Sequence, residues 1–339
     1  MDFSELADLA GAHAGARAIQ VALKLGLFEA LAVRSLDASE LAASIGGDPR
    51  GTGLIANAMV ALGLLDKRTD RLSLTPTSRR FLLAASPQYL GAMILFDEAI
   101  FPLWSRLEDS IRSGTPARTP DMFQHRQEET GLFIRAMDSL VRARGDAVWT
   151  AENLDLSGIG AIADVGGGPG TYLVEFMRRS PALKGAILDL PATLAIAREI
   201  LDQRDAGLAA RIELVEYDYR RQELPAGFDA IFLSNIIHSE DAPTNRAMLQ
   251  RCYRGLDPGG MVIIKDHIMN TGLTEPAAGA VFSLYLLLTT PGRDYSFDEV
   301  AQWLGEAGFA GIRRQLLPSP PFSSSLVTAR AGKQVRGEQ

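Results

Sequence analysis

Ala161-Ile-Ala-Asp-Val-Gly-Gly-Gly-Pro-Gly-Thr171 is the stretch whose reading decides the fold. A short apolar run ends in Asp164, glycines follow at 166, 167, 168 and 170, and Tyr172 to Arg179 carries helical spacing, which predicts strand, tight turn and helix. Glycine suits such a turn because a residue without Cβ takes positive φ cheaply and lets a ligand approach the backbone. The helix behind it presents free N–H groups. A glycine turn alone is weak evidence, since a βα turn with no ligand reads the same way.

Two features sharpen the reading. The dinucleotide fingerprint needs a third small residue where this chain has Thr171, and Pro169 lies inside the turn, which counts against NAD. A second predicted strand, Gly185 to Asp189, ends in an acid at the separation at which a carboxylate grips a ribose hydroxyl pair. A third, Arg211 to Tyr217, is followed by Asp218 and Tyr219. Carboxylates on successive strand ends suit a ligand with a ribose, an adenine amine and a positive charge, and suit a polyphosphate badly. S-adenosylmethionine fits that description.

The 339 residues, 47% hydrophobic and 22% charged, are ordinary for a globular chain of two domains. A net charge of -7, from 34 basic and 41 acidic residues, argues against nucleic acid as the main partner. Cys252 is the single cysteine, which rules out an internal disulfide and predicts a reducing, cytoplasmic setting, with the thiol buried in a helix. No signal peptide is expected, and Ala277 to Leu288 is too short to span a bilayer, so it is expected as a buried helix and no membrane as a partner.

Working outward from the glycine turn, strands and helices alternate through Ile187, Val215, Phe228 to Leu233 and Gly260 to Ile264, with helices at Pro191 to Asp205, Pro243 to Gly255 and Phe297 to Ala307. That is the pattern of an α/β, Rossmann-like doubly wound sheet, with late strands Gly311 to Leu317 and Ser323 to Ala329 at one edge. Toward the N-terminus, paired helices before Leu31, two further helices to Leu62 and a hairpin over residues 64–74 make a mostly helical winged-helix pattern. Its basic residues alternate with acids, so pairing with a second copy of the chain is favoured over DNA binding. The expected divisions are 1–90 for the winged helix, 91–153 for a helical linker contributing to a substrate pocket, 154–331 for the cofactor domain and 332–339 for a flexible tail.

The chemistry is expected at the carboxyl ends of the strands. His238 follows the strand Phe228 to Leu233, and a neutral imidazole there can take a proton from a phenol or similar acidic hydroxyl. His267, after the next strand, is a weaker candidate. Asp266 and Asp294 are the carboxylates that could hold the His238 ring, although Pro291-Gly-Arg-Asp294 is also plain turn chemistry. No Gly-x-Ser-x-Gly elbow and no cluster with metal-ligand spacing is present, so neither a hydrolase nor a metal is expected.

These motifs together resemble the S-adenosylmethionine-dependent small-molecule O-methyltransferases, a family that includes plant caffeate and flavonoid enzymes, bacterial polyketide-tailoring enzymes and hydroxyindole methyltransferase. The resemblance runs through Leu25 to Leu31 in the dimerisation domain, then Asp164 to Gly170, Leu188 to Pro191, His238, Pro258 to Gly260 and Pro291 to Asp294. It implies a homodimer, a small-molecule hydroxyl substrate, S-adenosylhomocysteine as product, and a place in secondary metabolism. It places Gly166 against the methionine portion of the cofactor, Asp189 on the ribose, and Asp218 with Tyr219 around adenine. Asp164, Gly168 and Leu190 complete the cofactor side with Ser234, which stands where the plant enzymes have a cofactor-contacting lysine. His238 falls on the family's general base, and Asp266 and Asp294 on its assisting acids. Trp104, Phe133 and Met137 are the expected substrate contacts. Carbon methylation without a base, a nucleotide-dependent oxidoreductase and a non-catalytic cofactor-sensing or DNA-binding dimer are the alternatives.

Overall fold

Capping residues set the helix starts of the N-terminal region. The computed structural model describes residues 1–317 and 324–332. Helix α1 (Phe3–Lys24) begins at Asp2, which forms a capping box with Glu5. Gly26, at φ 74°, leads into α2 (Leu27–Ala30). Asp37 and Glu40 cap α3 (Ala38–Ile45) reciprocally, and Asp48 caps α4 (Pro49–Ala61) with Pro49 in its first turn. Each cap satisfies donors that a helix end leaves unpaired and is worth about 1 kcal/mol. The hairpin of β1 (Leu65–Arg68) and β2 (Arg71–Leu74) follows, and a bridge joins Leu36 to Leu72, completing the winged helix. With α5 (Pro76–Phe81) and most of α6 (Gly91–Trp104), these elements form one unit of residues Met1–Phe101 and Arg135–Ala143. Leu27, Phe28, Leu41, Met59 and Leu72 are among its core residues. Phe3, Leu6 and Leu9 on α1 are 88%, 55% and 63% exposed, so the apolar start of the chain adds nothing to that core.

The second unit takes Pro102–Ile134 and the chain from Arg144 onward. It holds α7 (Leu107–Ser113), the ends of α8 (Gln127–Arg144) and α9 (Asp146–Asn153). Strands and helices then alternate: β3 (Ala161–Val165), α10 (Thr171–Arg179), β4 (Lys184–Asp189), α11 (Pro191–Ala209), β5 (Ile212–Glu216), β6 (Phe228–Ser234), α12 (Ala242–Gly255) and β7 (Leu256–Asp266). After them come β8 (Ile268–Met269), α13 (Ala277–Thr289), β9 (Tyr295–Ser296), α14 (Phe297–Ala307), β10 (Phe309–Leu317) and β11 (Ser324–Ala331). The large sheet has the order β10-β11-β7-β6-β3-β4-β5. β5, β4, β3, β6 and β7 are parallel, while β11 and β10 add an antiparallel edge. Ile162, Ile187, Leu188, Ile231, Phe232, Leu233, Ile263 and Ile264 are fully buried, as strands covered by helices on both faces require. The doubly wound sheet and its late hairpin follow the sequence expectation. Ser323 and the tail from Lys333 lie outside the described residues.

One expectation needs correction. The helix over Ala277 is not a buried one: Gly279, Leu286, Leu288 and Thr289 are buried, but Val281 is 60% exposed. Its residues are apolar nearly all round, so the sequence carries no stripe to show which side meets the core. Cys252 is buried as expected, and burial pushes its thiol up to about 12. Among the described residues no helix is long and apolar enough to cross a membrane.

Candidate active site

β3 has β4 on one side and β6 on the other, so the turn after it lies where the crossovers reverse, the place where open α/β sheets bind ligands. Gly166, Gly168 and Gly170 take φ of 65°, 54° and 71°, a region that side chains with a Cβ avoid. A Cβ on Gly167 would lie 2.6 Å from the Asp164 Cγ, so this backbone packs directly over that acid. Both carboxyl oxygens of Asp164 are buried without a hydrogen-bond partner. Burial and the charge of Asp189 push Asp164 up to about 8. Asp189, at the end of β4, accepts from the amides of Gly168 at 2.9 Å and Leu190 at 2.7 Å. Burial still outweighs these bonds and raises it to about 6. A buried acid, Asp164, and a half-buried one, Asp189, beside a glycine turn fit a cationic ligand carrying hydroxyl and amine donors, as S-adenosylmethionine is.

Asp218 lies two residues beyond β5, where its carboxylate accepts from the Arg220 amide at 2.9 Å. Tyr219 stands over the glycine turn, its ring 3.8 Å from where a Gly166 Cβ would be, and its hydroxyl donates to Glu240 at 2.7 Å. Arg220 Nε donates to the same Glu240 oxygen at 2.8 Å. Glu240 therefore fixes Tyr219, a role hidden in the sequence within a polar run before a helix. Ser234 closes β6 and accepts from the Asn235 side chain at 3.0 Å.

Past that strand, His238 sits in a 3-10 turn of residues Ile237–Ser239. Asn245 bonds the carbonyls of Ile237 and Glu240 at 2.8 and 3.1 Å, and Tyr295 bonds Glu240 at 2.6 Å, so the turn is pinned from two sides. His238 Nδ1 lies 2.7 Å from Asp266 Oδ1 at the end of β7. β8 and β9 pair Ile268 with Tyr295, which sets their predecessors His267 and Asp294 together: His267 Nδ1 is 3.6 Å from Asp294 Oδ2. Asp294 is also 4.0 Å from His238 Nδ1. Its backbone amide donates to Ser283 at 3.1 Å. Gly292 lets this turn reach the histidine, because a Cβ there would collide with the His238 carbonyl and lie 2.7 Å from the Glu240 amide. The four side chains His238, Asp266, His267 and Asp294 bring ligand-type atoms within 4.8 Å of one another, a cluster that sequence spacing did not reveal.

Charge orders this cluster. Burial pushes the His238 imidazole down, but the charge and hydrogen bond of Asp266 and the charge of Asp294 outweigh it, so its pKa stands above the ordinary 6.5. Burial pushes Asp266 up, yet His238 and His267 hold it below the usual carboxylate range. Asp266 is thus a carboxylate that accepts from Nδ1–H, which leaves Nε2 of neutral His238 as a proton acceptor. Phe282 on α13 stands edge-on to both imidazoles, 5.4 Å from His238 and 5.3 Å from His267. Behind Asp266, buried Lys265 donates to Asp146 at 2.5 Å and Tyr172 donates to the same oxygen at 2.8 Å. Trp104 and Phe133 lie in this unit, Phe133 packing with Ile134, Ile196 and Ile200, whereas Met137 belongs to the first unit.

The sequence model of the O-methyltransferase domain matches residues 104–310, and that of the O-methyltransferase dimerisation domain matches residues 7–84. The chain is 34% identical to the 3-hydroxy-5-methyl-1-naphthoate 3-O-methyltransferase of Streptomyces sahachiroi, over 96% of this chain and 95% of that protein. It is 29% identical to the tetracenomycin polyketide synthesis 8-O-methyl transferase TcmO of Streptomyces glaucescens, over 93% of this chain and 94% of that one. The solved structure of PigF with SAH is similar at a TM-score of 0.88 and 26% identity, covering 97% of this chain and 100% of that one. The chain belongs to the O-methyltransferase family and carries that family's dimerisation domain. It is an S-adenosylmethionine-dependent O-methyltransferase. The oxidoreductase and non-catalytic readings give way to this one.

Proposed function

We propose that the enzyme methylates a hydroxyl of a small aromatic or polyketide-like molecule, with His238 as general base. The observation that carries this reading is the 2.7 Å bond from His238 Nδ1 to Asp266. It leaves a basic nitrogen at the carboxyl ends of the strands, where the cofactor-side residues also converge. Two relatives named for methylating a hydroxynaphthoate and a tetracenomycin polyketide support the acceptor class.

S-adenosylmethionine, when bound, supplies an electrophilic methyl group on a sulfonium. Gly166 and Gly168 would open the backbone to it, Asp189 would offer negative charge and acceptors for its ribose, Asp164 would offer its buried carboxyl group to its amine, and Asp218 and Tyr219 would flank adenine. Leu190 orients Asp189 through its amide, and Ser234 borders the site. His238 Nε2 takes the hydroxyl proton as the oxygen becomes nucleophilic, and Asp266 stabilises the imidazolium that forms. Asp294 adds a further acid at 4.0 Å. On the acceptor side we assign Phe282, with Trp104 and Phe133. No metal is needed for such a displacement, in which orientation and a base lower the barrier.

Incubation with S-adenosylmethionine and a panel of phenols and naphthols tests the acceptor class. Methyl ethers are the expected products; ring-methylated products alone would favour the carbon-methylating alternative. We further propose a homodimer through the N-terminal unit, on the strength of the dimerisation-domain match and exposed Phe3, Leu6 and Leu9. Light scattering should give twice the chain mass at micromolar concentration; a fully active monomer would sink the idea.

A further inference from the structure

His238 sits in the middle of a segment whose two ends meet Gly166 and Tyr219. Two residues before it, Ile236 packs over the glycine turn: a Cβ on Gly166 would lie 3.2 Å from Ile236 Cγ1 and 3.8 Å from the Tyr219 ring. Two residues after it, Glu240 is 2% exposed. Its Oε1 accepts from the Tyr219 hydroxyl at 2.7 Å and from Arg220 Nε at 2.8 Å, with Arg220 Nη2 at 2.6 Å. A buried carboxylate is tolerated when it is paired and hydrogen-bonded, and Arg220 is the cation that pairs this one. The mechanism above gives Glu240 no task.

We propose that Glu240 is a positioning residue for the cofactor, its carboxylate fixing the Tyr219 ring as a wall for adenine from the same segment that carries His238. The inference rests on the placing of Tyr219 beside adenine in the proposed function and deepens it. A ring anchored at its hydroxyl is already ordered before the ligand arrives. Such preordering raises affinity, because less freedom is lost on binding.

Other groups hold the two backbones that Glu240 and Tyr219 belong to. Arg251, on α12, donates to the carbonyl oxygens of Tyr219 at 2.7 Å and Arg220 at 3.2 Å. Asn245 and Tyr295 donate to the Glu240 carbonyl at 3.1 and 2.6 Å. Removing the Glu240 carboxylate therefore leaves both chain paths tied. It frees the Tyr219 side chain, whose ring stands over the glycine turn.

The test is calorimetry with S-adenosylhomocysteine, which reads affinity and binding stoichiometry separately and needs no acceptor. Tyr219→Phe, which leaves the Glu240–Arg220 pair whole, and Glu240→Leu should each weaken binding by roughly three- to tenfold, the size of an aromatic contact. The double variant should lose no more than either alone, because both changes break the same bond. Glu240→Gln, which keeps an acceptor oxygen for the Tyr219 hydroxyl, should stay within about twofold of the wild type. Wild-type affinity in Tyr219→Phe, or additive losses in the double variant, overturns the proposal. So does a fall in stoichiometry at unchanged affinity, which a purely structural role would give. Tyr219→Ala separates the two readings: unchanged affinity there removes Tyr219 from the cofactor site, whereas a loss there with wild-type affinity in Tyr219→Phe and Glu240→Leu rejects Glu240 alone.

Discussion

Replacing His238 with alanine is expected to lower kcat by roughly two to four orders of magnitude while leaving cofactor affinity nearly intact. In the proposed reading the imidazole serves the acceptor, whereas Asp189 and Tyr219, assigned to the cofactor, keep their own bonds to Gly168, Leu190 and Glu240. The pH dependence should agree in sign. A base works only when neutral, and the pKa of His238 is raised by Asp266 and Asp294 beyond what burial takes away. Activity should therefore be low below that pKa and rise as pH climbs through it, with a midpoint above the ordinary 6.5. Asp266→Asn removes the largest raising influence and should move the midpoint down. A kcat independent of pH from mildly acid to mildly alkaline would speak against proton removal by this group.

Asp189→Ala is expected to weaken S-adenosylmethionine binding by roughly ten- to hundredfold, as loss of a charged hydrogen-bond acceptor does. The carboxylate also accepts from Gly168 and Leu190, so its removal loosens the glycine turn as well as the proposed ribose contact. Calorimetry at pH 8 is the appropriate measurement. Asp189 is raised to about 6, so it is ionised there in the wild type and binding should weaken as pH falls through that value. Unchanged affinity in a folded Asp189→Ala variant would remove the residue from the cofactor site.

Much of this architecture is legible in the chain because it is local. The turn from Gly166 to Gly170, the acids closing strands and the caps at Asp37 and Asp48 are written in consecutive residues. His238 is found by its address beyond a strand. What is not legible is contact across distance. Asp294 reads as turn chemistry until β8 pairs with β9 and Gly292 lets its loop touch the His238 backbone. Phe282 is one apolar residue in an unpatterned helix, and nothing local tells it from Val281, which is exposed. Glu240 and the Lys265–Asp146 pair pass for solvated charges, although folding buries all three.

The most direct test of the account is the ratio of wild-type to His238→Ala turnover across phenols of graded acidity, at fixed pH and saturating S-adenosylmethionine. If His238 removes the proton, the ratio should be largest for weakly acidic hydroxyls and shrink toward one as acceptors arrive already ionised. A ratio near one throughout, or one that does not change with acceptor acidity, would contradict general-base catalysis by His238.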